Sequence, residues 1–219
     1  MSKTGVIISG GSINDAFTLD MLRKIEPEYI IGVDSGLSFL YRNQVMPTHI
    51  VGDFDSVEPK VIAYYKEETK VPIREFNPVK DATDTEIALR LAIELRVQKV
   101  WIFGATGTRL DHVLSNIHIL KIPYDAGVEA YLVDECNRIS LWGNQICIRK
   151  AEKFGKYFSI FPFSGPVENV SIVGAKYPLA NYRVSADESR CVSNEIVDDE
   201  VLITFSDGLL ILMETRDKE

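Results

Sequence analysis

The sequence predicts an α/β domain, a mostly parallel sheet with flanking helices, followed by a C-terminal all-β sandwich domain. Three observations carry this. Up to about residue 135, short apolar runs alternate with helix-period stretches, as in strands joined by crossover helices. After Asn137 no helix-period stretch is found, and short β-type segments follow one another between Gly, Pro, Asn and Asp turns. One helix of the first part also carries its own start signal. The boundary falls at about residue 140, giving domains 1–139 and 140–219.

In the first domain, strands are expected over residues 5–9, 29–33, 49–52, 71–76, 100–103 and 130–133. Helices are expected over residues 15–24, 37–42, 59–68, 84–96 and 111–120. The best-marked helix begins at Thr83, because Thr83-Asp84-Thr85-Glu86 fits a capping box with threonine at the N-cap. Ile87, Leu91 and Leu95, beside Ala88 and Ala92, then form one apolar stripe, and Asp84 sits in the first turn where negative charge is favoured. In the second domain, strands are expected over residues 146–149, 157–161, 167–172, 191–197, 201–205 and 209–213. Ser206-Asp207-Gly208 reads as a hairpin turn between the last two.

Composition narrows the function classes. A net charge of −8 argues against a nucleic-acid surface, which is normally basic. It leaves room for an anionic nucleotide, because a metal ion and a few cations can reverse the field at one site. No apolar run approaches the length of a membrane span, and the N-terminus lacks the apolar stretch and cleavage site of a signal peptide, so a cytoplasmic protein is expected. Cys136, Cys147 and Cys191 have no metal or disulfide spacing and read as reduced thiols.

Four segments place polar residues directly after expected strands, where ligands bind in open α/β sheets. Gly10-Gly11-Ser12 follows the first strand; glycines there let backbone amides approach a phosphate, although a plain strand-to-helix turn has the same composition. Gly52-Asp53-Phe54-Asp55-Ser56 follows the third, and two carboxylates at i and i+2 can face one side if strand geometry persists, which suits Mg2+. In Lys80-Asp81-Ala82-Thr83-Asp84, the capping box does not account for Asp81 and Asp84 together. With Asp53 and Asp55 they would make a four-carboxylate pocket, self-repelling unless it held a cation. Lys80 would meet a polyphosphate or stay solvated. The fourth segment, residues 103–112, carries Thr106 on a small-residue turn, Arg109 with a planar fork suited to phosphate oxygens, and Asp111 and His112 at a helix start. There is no P-loop run, serine nucleophile elbow or zinc-type His-Glu-x-x-His. The residues themselves lead to a metal-dependent enzyme acting on phosphates.

The ordered set of Gly32-Val33-Asp34-Ser35-Gly36, Gly52 to Ser56, Lys80-Asp81 with Thr83-Asp84, Gly104 to His112 with Asn116, and Cys191-Val192-Ser193-Asn194-Glu195 resembles the bacterial thiamine pyrophosphokinases over almost the whole chain. The resemblance implies an α/β catalytic domain, a β-sandwich that helps bind thiamine, and a homodimer with active sites between subunits. It implies transfer of the diphosphate of MgATP to the thiamine hydroxyl. By resemblance, Asp53, Asp55, Asp84 and Arg109 are catalytic, and Asp53, Asp55, Asp81 and Asp84 hold Mg2+. Gly10, Gly11, Asp34, Lys80, Thr106 and Arg109 would bind ATP, while Asp111, Ser193 and Asn194 would bind thiamine. Many relatives have Gly-Gly-Arg where this chain has Gly107-Thr108-Arg109. Other readings stay open at this stage: a pyrophosphokinase for a pterin alcohol, an aspartyl-nucleophile phosphatase suggested by Asp53-Phe54-Asp55, and a non-catalytic thiamine or nucleotide sensor.

Overall fold

The structure is a computed structural model that describes residues 3–75 and 82–218. The chain forms two compact units, Met1–Glu135 and Cys136–Glu219.

The first unit is built on six strands: β1 (Thr4–Ile8), β2 (Tyr29–Val33), β3 (His49–Gly52), β4 (Ile73–Glu75), β5 (Lys99–Phe103) and β6 (Glu129–Val133). They pair in the order β6-β5-β1-β2-β3-β4, every pair parallel. The crossovers carry α1 (Asp15–Ile25), α2 (Gly36–Arg42), α3 (Pro59–Glu67), α4 (Asp84–Glu94) and the consecutive α5 (Leu110–His118) and α6 (Lys121–Asp125). The unbroken apolar run of β1 is explained by its place between two neighbours: Val6, Ile7 and Ile8 are fully buried. The chain builds outward from β1 to β4, then returns to the other side of β1 with β5 and β6. The strand order therefore reverses beside β1, which is the topological switch point of the sheet. Ile8 pairs with both Gly32 and Phe103, so β1, β2 and β5 end level there.

The start of α4 is as its sequence predicts. Thr83 is the N-cap and its hydroxyl accepts from the Glu86 amide at 3.3 Å, while the Glu86 carboxylate pairs with Arg90 one turn on. Of the expected stripe, Leu91, Ala88 and Ala92 are buried, joined by Thr85 and Leu89, while Ile87 and Leu95 are half-buried. Small residues let this helix sit close to the sheet, so the larger Ile87 and Leu95 fall at the margin. The five-residue α6 is absent from the sequence expectation, being too short to carry a period.

The second unit comprises β7 (Asn137–Trp142), β8 (Ile146–Arg149), β9 (Tyr157–Pro162), β10 (Val167–Val173), β11 (Leu179–Val184), β12 (Asn194–Glu195), β13 (Glu200–Thr204) and β14 (Leu210–Thr215). One antiparallel sheet runs β12-β9-β14-β7 and the other β11-β10-β13-β8. Phe158, Ile160, Leu210 and Leu212 of the first share one core with Ile146, Ile148, Val170, Ile172, Val201 and Ile203 of the second. This is the expected sandwich.

Details differ from the sequence reading. β7 and β11 were not expected; β11 is mostly exposed and interrupted by Asn181 at φ 48°, which leaves little apolar alternation to read. The strand expected over residues 191–197 contracts to two residues. The turn at Ser206-Asp207-Gly208 exists, with Gly208 at φ 96° and its amide bonded to Asp207 Oδ1 at 2.8 Å. It carries the chain from one sheet to the other, not across a hairpin, because β13 pairs with β8 and β10 whereas β14 pairs with β7 and β9. Across β7 and β14, buried Glu214 takes two bonds at 2.7 Å from the Arg138 guanidinium and a third from the Phe154 amide at 3.1 Å. Among the described residues no helix is long and apolar enough to cross a membrane.

Candidate active site

At the switch point the loops that follow β1 and β5 lie against each other. The Gly11 amide donates to the Gly104 carbonyl at 2.7 Å, and the Ser12 amide to the Thr106 carbonyl at 2.9 Å. A Cβ on Gly11 would stand 2.4 Å from the Thr106 oxygen. At Gly104, whose φ is 67°, it would stand 2.3 Å from the Ser9 oxygen. Glycine at both positions follows from this close approach. The amide that the sequence suggests for a phosphate is, at Gly11, already used by the neighbouring loop. Gly10 meets a third loop, where the Ser35 hydroxyl donates to its carbonyl at 3.1 Å.

These loops and the start of α4 enclose a cleft of about 550 Å³. Its lining includes Gly10, Gly11, Asp34, Asp84, Thr106 and Arg109 from the expected site, together with Ser9, Thr85 and Asn116. Asn116, buried on α5, fixes the β5 loop by donating from Nδ2 to the Ala105 carbonyl at 2.7 Å.

The electrostatic centre is Asp34, just beyond β2. Its backbone is left-handed (φ 43°), and its side chain passes over Gly52, where φ is 152° and a Cβ would come within 2.1 Å of Asp34 Oδ1. The Asp34 carboxyl lies against that of Asp84, and Asp53 lies close enough to repel it. Burial first, then Asp84 and Asp53, push the Asp34 carboxyl up to about 7, opposed by a bond from the Phe54 amide. Its Oδ1 is the buried side-chain oxygen left without a hydrogen-bond partner among the described residues. Such an orphaned acceptor amid carboxylates is a fit for a hard, oxygen-seeking cation. Among the described residues no three His, Cys, Asp or Glu side chains already converge on one point. Asp81, expected as a ligand, and Lys80, expected at ATP, lie outside the described residues.

Asp53 and Asp55 do not share a face in the manner of an extended strand. β3 ends at Gly52, and Phe54 turns into the left-handed region (φ 63°) with its ring buried. Asp53 Oδ1 accepts from the Asp55 amide at 3.2 Å, closing a tight turn. Asp53 is half-buried and faces the Asp34 charge, whereas Asp55 is exposed, and neither is part of the cleft lining. A bulky residue at positive φ stores strain, and here it does so between two candidate ligands.

Arg109 forms an ion pair with Asp111 at 2.6 Å, both side chains being exposed. The guanidinium holds the Asp111 carboxyl below the usual carboxylate range. In the second unit Ser193 is exposed, at φ 57°, and its amide donates to Ser159 Oγ at 3.0 Å. Asn194 is buried, and its amide group bridges backbone: Oδ1 accepts from Tyr177 and Glu195, and Nδ2 donates to the Tyr177 carbonyl at 2.8 Å. What it holds in place is Tyr177, whose ring is exposed. Ser9, Gly52, Thr85 and Tyr177 were not singled out for a role by sequence reasoning. Gly52 had a signal in its position before Asp53; for the Ser9 and Thr85 pair, 76 positions apart, there was none.

Comparison with known proteins decides the family. The profile described as thiamin pyrophosphokinase, catalytic domain, matches residues 24–132, and that described as thiamin pyrophosphokinase, vitamin B1 binding domain, matches residues 143–210. The thiamine pyrophosphokinase of Bacillus subtilis is 32% identical over 188 residues, covering 85% of this chain and 87% of that protein. The chain belongs to the thiamine pyrophosphokinase family. The crystal structure of thiamine pyrophosphokinase from Bacillus subtilis superposes with a TM-score of 0.87 at 31% identity, covering 99% of this chain and 100% of that one. That of Geobacillus thermodenitrificans thiamin pyrophosphokinase gives 0.84 at 29% identity, with 99% of each chain covered. The Candida albicans enzyme, at 19% identity, shares the fold with a TM-score of 0.83 over 98% of this chain and 89% of its own. Within the thiamine pyrophosphokinase family assignment, the catalytic-domain match takes in Asp34, Asp53, Asp84 and Arg109, and the B1-binding match takes in Ser193 and Asn194.

Proposed function

We propose that this chain transfers the terminal diphosphate of ATP to the hydroxyl of thiamine, giving thiamine diphosphate, AMP and a proton. The observation that carries the site assignment is the Asp34 carboxyl, its Oδ1 orphaned and its charge opposed by Asp84 and Asp53, in a cleft at the switch point of a parallel sheet. Family membership supports the substrates.

In this reading Asp34, Asp53 and Asp84 would hold Mg2+, and Asp55 and Asp81 are the further carboxylates that the family resemblance implies. When bound, Mg2+ would supply charge neutralisation at the phosphate oxygens. Little covalent chemistry is asked of the protein. The Gly10–Gly11 and Thr106 loops form the nucleotide wall, and positioning for in-line attack on the β-phosphorus carries most of the rate. Arg109 is paired only at the surface, where an ion pair is worth at most about 1 kcal/mol, so it can turn from Asp111 to the migrating group at small cost. Asp111, thus released, offers a negative charge to the thiazolium of thiamine. The contributions of Ser193 and Asn194 to thiamine binding, a homodimer and a cytoplasmic location belong to the same proposal. The dimer gains support from the exposed Leu110 and Leu114 on one face of α5.

The test is AMP release from MgATP with and without thiamine, with thiamine diphosphate followed by chromatography. Thiamine-dependent AMP matched by thiamine diphosphate is expected. AMP formed only with a pterin alcohol, or thiamine binding without turnover, would overturn the assignment.

A further inference from the structure

The first turn of α4 is tied to the end of β1 by a bond that the scheme above does not use. Ser9 Oγ and Thr85 Oγ1 lie 2.6 Å apart, and the two residues are 5% and 7% exposed. Ser9 is a fixed post: its amide donates to the Phe103 carbonyl at 2.8 Å, and its own carbonyl abuts Gly104. Thr85 is β-branched and therefore stiff at its first side-chain torsion, and in the first turn of α4 no preceding helical turn offers its hydroxyl a carbonyl. Here it reaches another element. Asp84 thus stands between the capping residue Thr83 and the tethered residue Thr85, and its carboxyl meets Asp34.

We propose that the Ser9–Thr85 hydroxyl pair is a positioning device that sets the Asp84 carboxylate against Asp34 for cation binding. In this role both hydroxyls act through the placement of α4. The inference rests on the Mg2+ part of the reading above. Outer contacts of this kind, when removed from metal sites, typically weaken affinity about 10-fold to 100-fold.

The test is Mn2+ binding to the full chain without nucleotide, followed by the loss of the free-ion electron paramagnetic resonance signal, with circular dichroism confirming the fold of each variant. Thr85→Val and Ser9→Ala are each expected to bind Mn2+ about 10-fold more weakly than wild type. The double variant is expected to be no weaker than the weaker single, because the two hydroxyls act as one pair. Thr85→Ser, which keeps the hydroxyl, is expected to stay within about twofold of wild type. If Thr85→Val does not fold, Ser9→Ala, which removes one oxygen, carries the same comparison. Wild-type affinity in Ser9→Ala and Thr85→Val, equal losses in Thr85→Ser and Thr85→Val, or no Mn2+ binding by wild type would each overturn the inference. A wild type that binds Mn2+ but makes no thiamine diphosphate would remove the thiamine reading and leave the positioning role intact. A wild type that makes thiamine diphosphate, with every variant binding Mn2+ equally well, would remove the positioning role alone.

Discussion

Replacing Asp34 with asparagine is expected to flatten the pH dependence of stability of the metal-free protein. The Asp34 carboxyl moves from 3.8 to about 7 on folding, mainly through burial and then through Asp84 and Asp53. At about 1.4 kcal/mol per tenfold change in proton affinity, this is at most about 4 kcal/mol, and about 2 kcal/mol once the partial exposure of the group is allowed for. The sign follows from linkage. Because the folded value is raised, the contribution is fully present below pH 3.8 and is lost as pH rises through about 7. Wild type is therefore expected to lose about 2 kcal/mol more than Asp34→Asn between pH 4 and pH 8, or about 4–8 °C in melting temperature for a chain of this size. Calorimetry or circular dichroism melting in chelator at several pH values measures it. Adding Mg2+ at pH 8 is expected to restore stability to wild type and much less to the variant, since a ligand of the folded state stabilises it by mass action. Parallel pH profiles for the two proteins would refute the reasoning, because the carboxyl would then be free to ionise in the folded state.

Two further predictions follow from the same contacts. Gly52→Ala places a Cβ 2.1 Å from Asp34 Oδ1 at a φ of 152°, so a loss of about 1–3 kcal/mol and a larger proportional loss of turnover are expected; unchanged melting and activity would count against the geometry. Asn194→Ala removes three hydrogen bonds from a buried amide and frees Tyr177, and is expected to cost about 2–3 kcal/mol and to raise KM for thiamine more than KM for ATP; equal changes in the two constants would argue against assigning the second unit to thiamine.

How much of the site was legible depended on the distance along the chain over which each feature is encoded. The Thr83 cap and the acidic first turn of α4 need only adjacent residues, and both stand as read. The chemistry of Asp53, Asp84 and Arg109 was legible as residue types following strands. Their geometry was not: the left-handed turn at Phe54 redirects Asp55 outward, and Gly11 serves a loop contact that only pairing of β1 with β5 creates. Asp34 emerges as the electrostatic centre because its burial depends on Gly52 and Asp84, neither of them its neighbour in sequence.

By itself, the sequence determined the succession of strands and helices, the change to an all-β unit, and the inventory of carboxylates, glycines and one arginine after the strands. Periodicity, caps and turn chemistry are local, and local physics suffices to read them. Only the tertiary structure decided the strand order that brings four loops to one switch point, the transfer of the chain between sheets at Gly208, and the pairing of Ser9 with Thr85. Those outcomes depend on which apolar faces bury each other and on which polar groups are left together without water, and neither is written at any single position of the chain.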